Sequence, residues 1–119
     1  MTSLMRVAPE LPVRNLDQAL TDYRMRLGFE VAMRLPDGDY AIVERDGVAL
    51  HLFENERGQS PGSIHIFATG LDDLQAELQA RGAKFTQAIV RQPWGNRDFR
   101  VVDSSGNVIK FTEPLAGGA

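Results

Sequence analysis

The residues of this chain most able to do chemistry are its two histidines. His51 and His65 both lie in short β-rich segments, and the chain contains no cysteine. An imidazole can bind a metal ion, move a proton near neutral pH or contact a planar ligand. The lack of cysteine excludes disulfides, thiolate zinc sites and cysteine nucleophiles. Neither a G-x-S-x-G pattern nor a phosphate-binding glycine loop is present. The candidate chemistry therefore depends on which side chains share a surface with the imidazoles.

Alternation along residues 48–54, 63–68 and 108–112 indicates that surface, because successive side chains of a strand point to opposite faces. One face is apolar throughout: Leu50, Leu52, Ile64, Ile66, Ile109 and Phe111. The other is mixed: Ala49, His51, Phe53, Ser63, His65, Phe67, Val108, Lys110 and Thr112. The mixed face is either an ordinary solvent-exposed surface or the wall of a small-molecule site. We favour the ligand site, because solvent faces usually carry Lys, Glu and Arg rather than phenylalanine and imidazole.

Two helices flank these strands. Apolar residues at helical spacing predict the first helix after residue 14: Leu16, Ala19, Leu20, Tyr23 and Leu27. Asn15 suits its N-terminal cap and Gly28 a left-handed end. Leu71, Leu74 and Leu78 indicate a second helix that ends before Gly82. For this helix we predict a capping box between Thr69 and Asp72.

The strands form hairpins, and the two halves of the chain repeat one pattern. Asp46-Gly47 predicts a tight turn between strands at 40–45 and 48–54, and the loop 103–107 connects strands at 99–102 and 108–112. Leu-Asp at 16–17 returns at 71–72, Gly28 returns as Gly82, and Glu54 returns as Glu113. We predict an α+β fold of two βαβββ modules, about 1–56 and about 62–115. Together they form a cupped mixed sheet with the helices on its outer face.

Composition limits the classes of protein that fit. The 119 residues suit a single domain, 1–119, and the 43% hydrophobic content supports an ordinary core. Thirteen basic residues are scattered and the net charge is −3, which argues against nucleic-acid binding. No apolar run approaches the roughly 20 residues needed to cross a bilayer, and the N-terminal segment is not typical of a signal peptide. We expect a cytoplasmic protein with no membrane partner.

The ordered motifs of the chain resemble the vicinal-oxygen-chelate superfamily, and bleomycin-resistance proteins most closely. They cover nearly the whole sequence: P-V-x-N-L-D-x-A-x-x-x-Y at 12–23, LGF at 27–29, GLDDL at 70–74, QPWG at 92–95, Asp98-Phe99, and an aspartate-to-glycine-asparagine turn at 103–107. Ser104 departs from the proline that the family usually places in this turn. The resemblance implies paired βαβββ modules around a concave surface.

The resemblance also implies where a metal would bind if this chain were one of the superfamily's enzymes. Those enzymes take one ligand from each of four strands, at positions that correspond here to Ala8, His51, Ser63 and Lys110. Alanine has no donor atom, serine is a poor ligand and an ammonium group repels a cation. A displaced site using His65, Glu54 and Glu113 with His51 is an alternative, but ordinary hydrogen-bonding or stacking roles for the histidines are favoured. We therefore expect no metal, no cofactor and no catalytic residues.

In the bleomycin-binding relatives, two chains form a dimer, and grooves built by both hold the drug by aromatic stacking and acidic attraction to its cationic tail. The resemblance carries a ligand-binding role to one set of residues here: Trp94, Tyr40, His65, His51, Phe53, Phe67, Lys110, Asp39, Asp98 and Phe99, with Asp37 as a further acidic candidate. Trp94 could instead be a core or interface plug. Pro9 and Pro12 place the first strand at an edge or interrupt it, and we expect exchange of the N-terminal arm between chains.

Three functions follow in order of preference. The first is a metal-free, homodimeric binder that confers resistance by sequestering a bleomycin-type antibiotic, a cationic glycopeptide. The second is a metal-dependent glyoxalase-like or dioxygenase-like enzyme of the same superfamily. The third is a binder of another small ligand. His65 stands where some relatives carry tryptophan, and this difference bears on the first function, because imidazole offers a smaller stacking plane than indole.

Overall fold

The computed structural model describes residues 1–55 and 61–114. Module one contains β1 (Glu10–Val13), α1 (Leu16–Leu27), β2 (Glu30–Arg34), β3 (Tyr40–Arg45) and β4 (Val48–Glu54). Module two contains β5 (Ser63–Phe67), α2 (Leu71–Ala80), β6 (Lys84–Arg91), β7 (Arg97–Val102) and β8 (Val108–Glu113). The predicted α+β class and the two βαβββ modules are confirmed. No helix in these ranges is long and apolar enough to span a membrane.

The strands hydrogen-bond as two four-stranded sheets with the same internal order. Module one runs β1-β4-β3-β2 and module two runs β5-β8-β7-β6. In each sheet the first and last strands of the module pair in parallel, and the remaining pairs are antiparallel. The predicted edge position of the proline-containing strand β1 is confirmed. The predicted cupped sheet therefore consists of two separately hydrogen-bonded sheets, which are connected by side chains and loops.

Helix α1 forms as the sequence predicts. The Asn15 side chain accepts a hydrogen bond from the Gln18 backbone N–H at 2.8 Å, and Gly28 ends the helix at φ 74°. Its buried face includes all five residues of the predicted apolar stripe. Tyr23 is one of them, and its ring packs edge-on against Phe29. The stripe therefore becomes part of a hydrophobic core that both modules share.

The start of α2 differs from the predicted capping box, which is wrong. The N-cap is Gly70, at φ 62°, and no side chain caps it through Thr69 or Asp72. Asp72 pairs instead with Arg97, at 2.9 Å. The first helical N–H, that of Leu71, donates to the Glu113 carboxylate at 3.2 Å. A carboxylate from the end of the last strand thus replaces a local cap.

Module one uses the same device, which gives the repeated glutamates a structural role. Glu54 closes β4, and its carboxylate accepts a hydrogen bond from the Leu16 N–H at 2.8 Å. Leu16 and Leu71 are equivalent first residues of α1 and α2. In both modules, therefore, the last strand is tied to the N-terminus of that module's helix. The pattern that the sequence repeats, Leu-Asp with a distant Glu, is a helix-capping arrangement.

The two hairpin turns form where the sequence predicts them. Asp46 and Gly47 both have positive φ, 52° and 79°, as a tight turn between right-twisted strands requires. In the second hairpin, Gly106 has φ 87° and its N–H donates to the Asp103 carbonyl. Asp103 and Asn107 are buried, although they lie in a turn. This turn therefore has a role beyond chain reversal.

The Asp103 carboxylate organises that turn from within. Its Oδ1 accepts from the backbone N–H groups of Ser105 and Asn107, at 2.8 and 2.9 Å. Its Oδ2 accepts from the Tyr23 hydroxyl, at 2.8 Å, and from the Asn107 side-chain amide. Burial, followed by the Asp103 charge, raises the pKa of Tyr23, which keeps the phenol a donor. One carboxylate thus fixes the turn of module two against α1 of module one.

Further bonds from the same turn reach other parts of module one and the start of module two. The Asn107 amide donates to the Pro12 carbonyl at 2.7 Å and accepts from the Gly62 N–H at 2.6 Å. The Ser104 N–H donates to the Asp22 carboxylate at 2.9 Å. Proline, usual in the family at position 104, has no N–H. The departure at Ser104 therefore gives buried Asp22 a hydrogen-bond donor.

Replacing Asn107 with alanine should lower the free energy of unfolding by about 3 kcal/mol, because it leaves the Pro12 carbonyl and the Gly62 N–H without their partner. Urea denaturation followed by circular dichroism measures this change. Ser104→Ala is the matched control, because only the backbone N–H of this exposed residue is used. Equal stability of the two variants would contradict a joining role for Asn107.

Candidate small-molecule site

Module two carries four of the candidate residues, His65, Phe67, Asp98 and Lys110, on the face of its sheet that lies away from the core. Strand register places His65 beside Lys110, and Lys110 beside Arg100. The next row joins Phe67, Thr112 and Asp98. The alternate residues of the same strands are core residues: Val101, Ile109, Phe99 and Phe111. Strand alternation thus brings a phenylalanine, an imidazole and two cations onto one surface, which we call the module-two face: His65, Phe67, Asp98, Arg100, Lys110 and Thr112.

Asp98 is the buried counter-ion of this face, with a side chain only 2% exposed. Its carboxylate accepts from the Gln87 amide at 2.7 Å and from the Gln92 amide at 2.9 Å. The Lys110 ammonium lies 4.0 Å away. Asp98 therefore fixes the strand β6, the following turn and Lys110 in position. The sequence predicts Asp98 as a direct acidic contact for a ligand. In the structure, these partners already occupy its carboxylate.

His65 lies at the open edge of the face, next to the cations. Partial burial, then the positive charge of Lys110, lowers the pKa of His65 below its ordinary value, and Arg100 acts in the same direction. Asp98 opposes them. The imidazole is therefore held in its neutral form near pH 7, which suits it to hydrogen bonding or stacking rather than to charge pairing.

Exposed aromatic rings border the module-two face. Phe67 is 56% exposed and its ring centroid lies 6.2 Å from that of His65. Trp94 is 63% exposed, so it is not a core plug. It sits in the turn between β6 and β7, where the Gly95 N–H donates to the Gln92 carbonyl at 2.8 Å. Because Gln92 also binds Asp98, the turn that carries Trp94 is tied to the face. Exposed rings beside fixed charges can stack on a planar ligand.

Module one has a separate polar cluster on the corresponding face. The Tyr40 hydroxyl donates to the Glu10 carboxylate at 2.7 Å and lies 2.6 Å from Nδ1 of His51. The bond to Glu10 is the main cause that raises the pKa of Tyr40. Phe53 pairs with Tyr40 across β3 and β4 and shares this face. Among the described residues, no hydrogen bond, ion pair or ring contact joins this cluster to the module-two face.

Three predicted site residues fall elsewhere. Phe99 is fully buried, with its ring centroid 5.2 Å from that of Phe111 and 5.3 Å from that of Phe85. Its prediction as a ligand contact is wrong, because residues adjacent along a strand point to opposite faces and Asp98 takes the outer one. Asp39 and Asp37 are exposed near the start of β3, and the Asp39 carbonyl accepts from the Glu54 N–H. Their carboxylates remain open to solvent.

The side chains do not assemble into an evident metal centre. Within residues 1–55 and 61–114, no group of three or more histidine, cysteine, aspartate or glutamate side chains is placed to hold a metal ion. Glu54 and Glu113, the carboxylates of the alternative displaced site, are bonded to helix N-termini. Glu113 also pairs with Arg97, at 2.6 Å. His51 is instead hydrogen-bonded to Tyr40, and the Tyr40 hydroxyl in turn donates to Glu10.

Cavities of a single chain lie at the junction of the modules. One, about 620 Å³, is on the helix side beside Arg45 and Glu77, and Phe67 is the one candidate residue that lines it. Another, about 510 Å³, is bounded by 6–9 of the N-terminal arm, 47–50 of the β3–β4 hairpin and 64–67 of β5. His65 and Phe67 line the second cavity. The module-two face is thus an open surface with one edge in a groove.

Sequence reasoning missed four polar residues of these clusters: Glu10, Gln87, Gln92 and Arg100. Arg100 had a usable signal, because it stands two residues after Asp98 on the same strand and must share its face. The glutamines had none, since their role depends on the pairing of β6 with β7 and on a turn. Glu10 lies beside His51 because β1 and β4 pair in parallel, and this long-range pairing gives no local signal in the sequence.

Comparison with known proteins places the chain in a family. A family sequence model described as "Glyoxalase superfamily protein" matches residues 2–118. The bleomycin resistance protein of Geobacillus stearothermophilus is 25% identical, over 94% of this chain and 98% of its own length. Among solved structures, the bleomycin resistance determinant encoded on transposon Tn5 has a TM-score of 0.82 at 22% identity and covers 95% of this chain and all of its own. A bleomycin-binding protein in complex with bleomycin has a TM-score of 0.81 at 22% identity, covering 92% and 98%.

The chain belongs to the glyoxalase superfamily, and the resemblance predicted from its motifs is confirmed. Its similarity to bleomycin resistance proteins extends over nearly the full length of both chains. The two solved structures show that the fold is shared.

Replacing Lys110 with methionine should raise the pKa of His65, because a nearby positive charge that disfavours the imidazolium is removed. NMR titration of the imidazole signals measures the shift, and His51→Gln identifies which of the two signals is His65. Lys84→Met, at the far edge strand β6, is the control. An unchanged His65 pKa in Lys110→Met would contradict the described geometry of the face.

Proposed function

We propose that this chain binds a bleomycin-type antibiotic and withholds it by sequestration, without a metal and without turnover, in a groove completed by a second copy. Lys110 is the observation that carries the proposal. Its ammonium group stands at a position where metal enzymes of the superfamily place a ligand, and buried Asp98 holds it there. A fixed cation at that position opposes a divalent ion and leaves the face available to an organic molecule.

The remaining metal-ligand positions support the same conclusion. Ala8 offers no donor and Ser63 offers only a neutral hydroxyl, which leaves His51 as the sole good ligand of the four. His51 is itself engaged with the Tyr40 hydroxyl, at 2.6 Å. Lewis-acid chemistry of the lyase, isomerase or dioxygenase type needs several such ligands around one ion. The residues fit binding better than metal catalysis.

Aromatic exposure supports stacking as the main source of affinity. Trp94 and Phe67 are both more than half exposed, which is costly for large apolar rings unless something covers them. A planar ring system such as the bithiazole of bleomycin can cover them. Acidic groups for the cationic tail are available on module one: Glu10, Asp37 and Asp39. Sequestration confers resistance when the binder exceeds the drug load, because only free drug acts.

The N-terminal arm supports a dimer. Leu4, Met5 and Val7 are almost completely exposed in the single chain, and they precede the edge strand β1. An extended apolar arm next to an unpaired strand edge is suited to pairing with a second chain. The proposed groove therefore uses the module-one cluster of one copy and the module-two face of the other. This arrangement accounts for the absence of contacts between these two surfaces among the described residues of one chain.

Metal-free bleomycin should quench and shift the fluorescence of this protein, because Trp94 is its only tryptophan and lies exposed beside the proposed site. Trp94→Ala should weaken binding measured by calorimetry about fivefold to tenfold, as expected for loss of one aromatic contact worth about 1 kcal/mol. Met25→Ala is the control, since Met25 is equally exposed but lies on α1.

Two outcomes would favour the other candidate functions. Stoichiometric Fe, Mn, Ni or Zn in protein purified without chelator, lost in His51→Ala, would favour the metal enzyme. Full affinity for bleomycin in Trp94→Ala would remove the stacking argument. No detectable binding of bleomycin at all would leave a binder of another small ligand as the function to pursue.

Deletion of residues 1–8 should raise the dimer dissociation constant at least tenfold, because the apolar side chains of the arm lose their place in the partner. Analytical ultracentrifugation measures this constant. The triple variant Leu4→Ser, Met5→Ser, Val7→Ser should act similarly, and Thr2→Ala with Ser3→Ala should not. An unchanged dimer after the deletion would count against arm exchange.

A further inference from the structure

Arg100, on the module-two face, has one guanidinium nitrogen that is buried without a hydrogen-bond partner. Its Nε is buried and has no hydrogen-bond partner, and the hydroxyl oxygen of Thr112 on the neighbouring strand β8 is in the same condition. Within residues 1–55 and 61–114, no hydrogen bond or ion pair to a carboxylate is formed by Arg100. Native proteins rarely leave buried donors without a partner, and each such group calls for an explanation. A ligand that brings an acceptor to this point is one explanation.

The neighbours of Arg100 do not supply that acceptor. On β6 it pairs with Gln87, whose amide nitrogen donates to Asp98 and whose amide oxygen makes no hydrogen bond to Arg100 Nε. On β8 it pairs with Lys110, which is a second cation. Asp98, the one carboxylate of the face, is bonded to two glutamine amides and lies near Lys110. The face therefore carries two cations, Arg100 and Lys110, and one carboxylate, Asp98, which is already hydrogen-bonded. Its net charge is positive.

Phe67 and His65 lie across the sheet from Arg100, on the edge strand β5. Lys110 and Thr112 occupy the strand between them. Adjacent strands are about 4.8 Å apart, so the distance from β5 to β7 is about 10 Å. A bicyclic aromatic system of two fused six-membered rings has a comparable length. When it stacks on Phe67 and His65, its substituent can therefore reach Lys110 and Arg100.

We infer that the module-two face binds the oxyanion end of a ligand, in the form of a carboxylate or similar group attached to a planar aromatic ring. The inference rests on the site of the proposed function and goes beyond its ligand, since it names a second ligand class for the same face. The Arg100 guanidinium and the Lys110 ammonium bind the oxyanion, the Thr112 hydroxyl donates to it, and Phe67 and His65 contact the ring. The cationic part of the ligand then faces the acidic cluster of module one.

A matched pair of small probes, 2-naphthoate and 2-naphthamide, tests the inference. They share one ring system and differ in charge at the substituent. NMR titration of the dimeric protein measures both affinities, and the Arg100 Nε–Hε signal, identified by its absence in Arg100→Gln, reports contact at the guanidinium. We expect 2-naphthoate to bind at least tenfold more tightly and to shift that signal.

Two substitutions separate a binding role from a structural one. Arg100→Gln should abolish the tenfold preference for 2-naphthoate, and Arg24→Gln, an exposed arginine of α1 with the same change in net charge, should preserve it. Thr112→Val should weaken 2-naphthoate binding about threefold without lowering the melting temperature, because its hydroxyl has no partner within the fold. Equal binding of the two probes, or binding of neither, would overturn the inference.

Arg100 could alternatively pair with a carboxylate of the second copy in the dimer. In that case Arg100→Gln would raise the dimer dissociation constant and leave the probe preference intact, which would also overturn the inference. A parallel titration with bleomycin keeps the two proposals apart. Bleomycin binding without a preference for 2-naphthoate rejects the oxyanion site alone. A clear preference without bleomycin binding rejects the antibiotic and retains the site.

Discussion

The buried Asp103 carboxylate and the Asn107 amide are the interaction on which the arrangement of the two modules depends. Asp103 accepts bonds from its own turn and from the Tyr23 hydroxyl, and Asn107 bonds to the Pro12 carbonyl and the Gly62 N–H. Neither sheet shares a strand with the other. The two modules share a hydrophobic core, and these directional bonds at low solvent exposure add the specific geometry of their arrangement, because each buried bond is strong and each loss is costly. The aspartate-to-glycine-asparagine turn, one of the motifs that carry the family resemblance, is therefore architectural.

The internal repeat shows which parts of the fold are symmetric and which are not. Both modules tie their last strand to their helix through a glutamate, Glu54 or Glu113. Among the described residues, module two has the buried turn, and module one supplies the Tyr23 hydroxyl that donates to the Asp103 carboxylate of that turn. The polar faces diverge in the same way, with Glu10 and Tyr40 in module one and Arg100 and Lys110 in module two. A duplicated scaffold thus carries two surfaces of different chemistry.

Much of the fold could be predicted because its signals are local. The spacing of the apolar residues in α1, the Asn15 cap and the Asp46-Gly47 turn are decided by residues a few positions apart, and the structure agrees with each of them. The start of α2 could not be predicted, because its cap comes from Glu113, 42 residues away. A local capping box was the only interpretation that the sequence itself offered.

The candidate site was predictable in outline for a similar reason. Strand alternation placed His65, Phe67 and Lys110 on one face, and their register agrees. Alternation applied strictly would also have excluded Phe99 and included Arg100, whereas the family motif carried Asp98 and Phe99 into the site together. A motif preserves neighbours along the chain, and in a strand those neighbours point in opposite directions. The burial of Asp98 under Gln87 and Gln92 depends on long-range pairing and on a turn, and no spacing rule contains that information.

The charges of the module-two face explain how a metal-binding scaffold can become a binding surface for organic molecules. A divalent ion at such a position balances the negative charge of the ligands around it. Loss of the ion leaves the negative ligands without a counter-charge. Here Lys110 provides the compensation internally, with Asp98 as its partner at 4.0 Å. Under the proposed function, the outer groups of the face are then available for contact with a ligand. Arg100 adds a second positive charge to the face, and its buried Nε has no hydrogen-bond partner among the described residues. A ligand with an oxyanion, as inferred above, would bring both an acceptor and the opposite charge to this point.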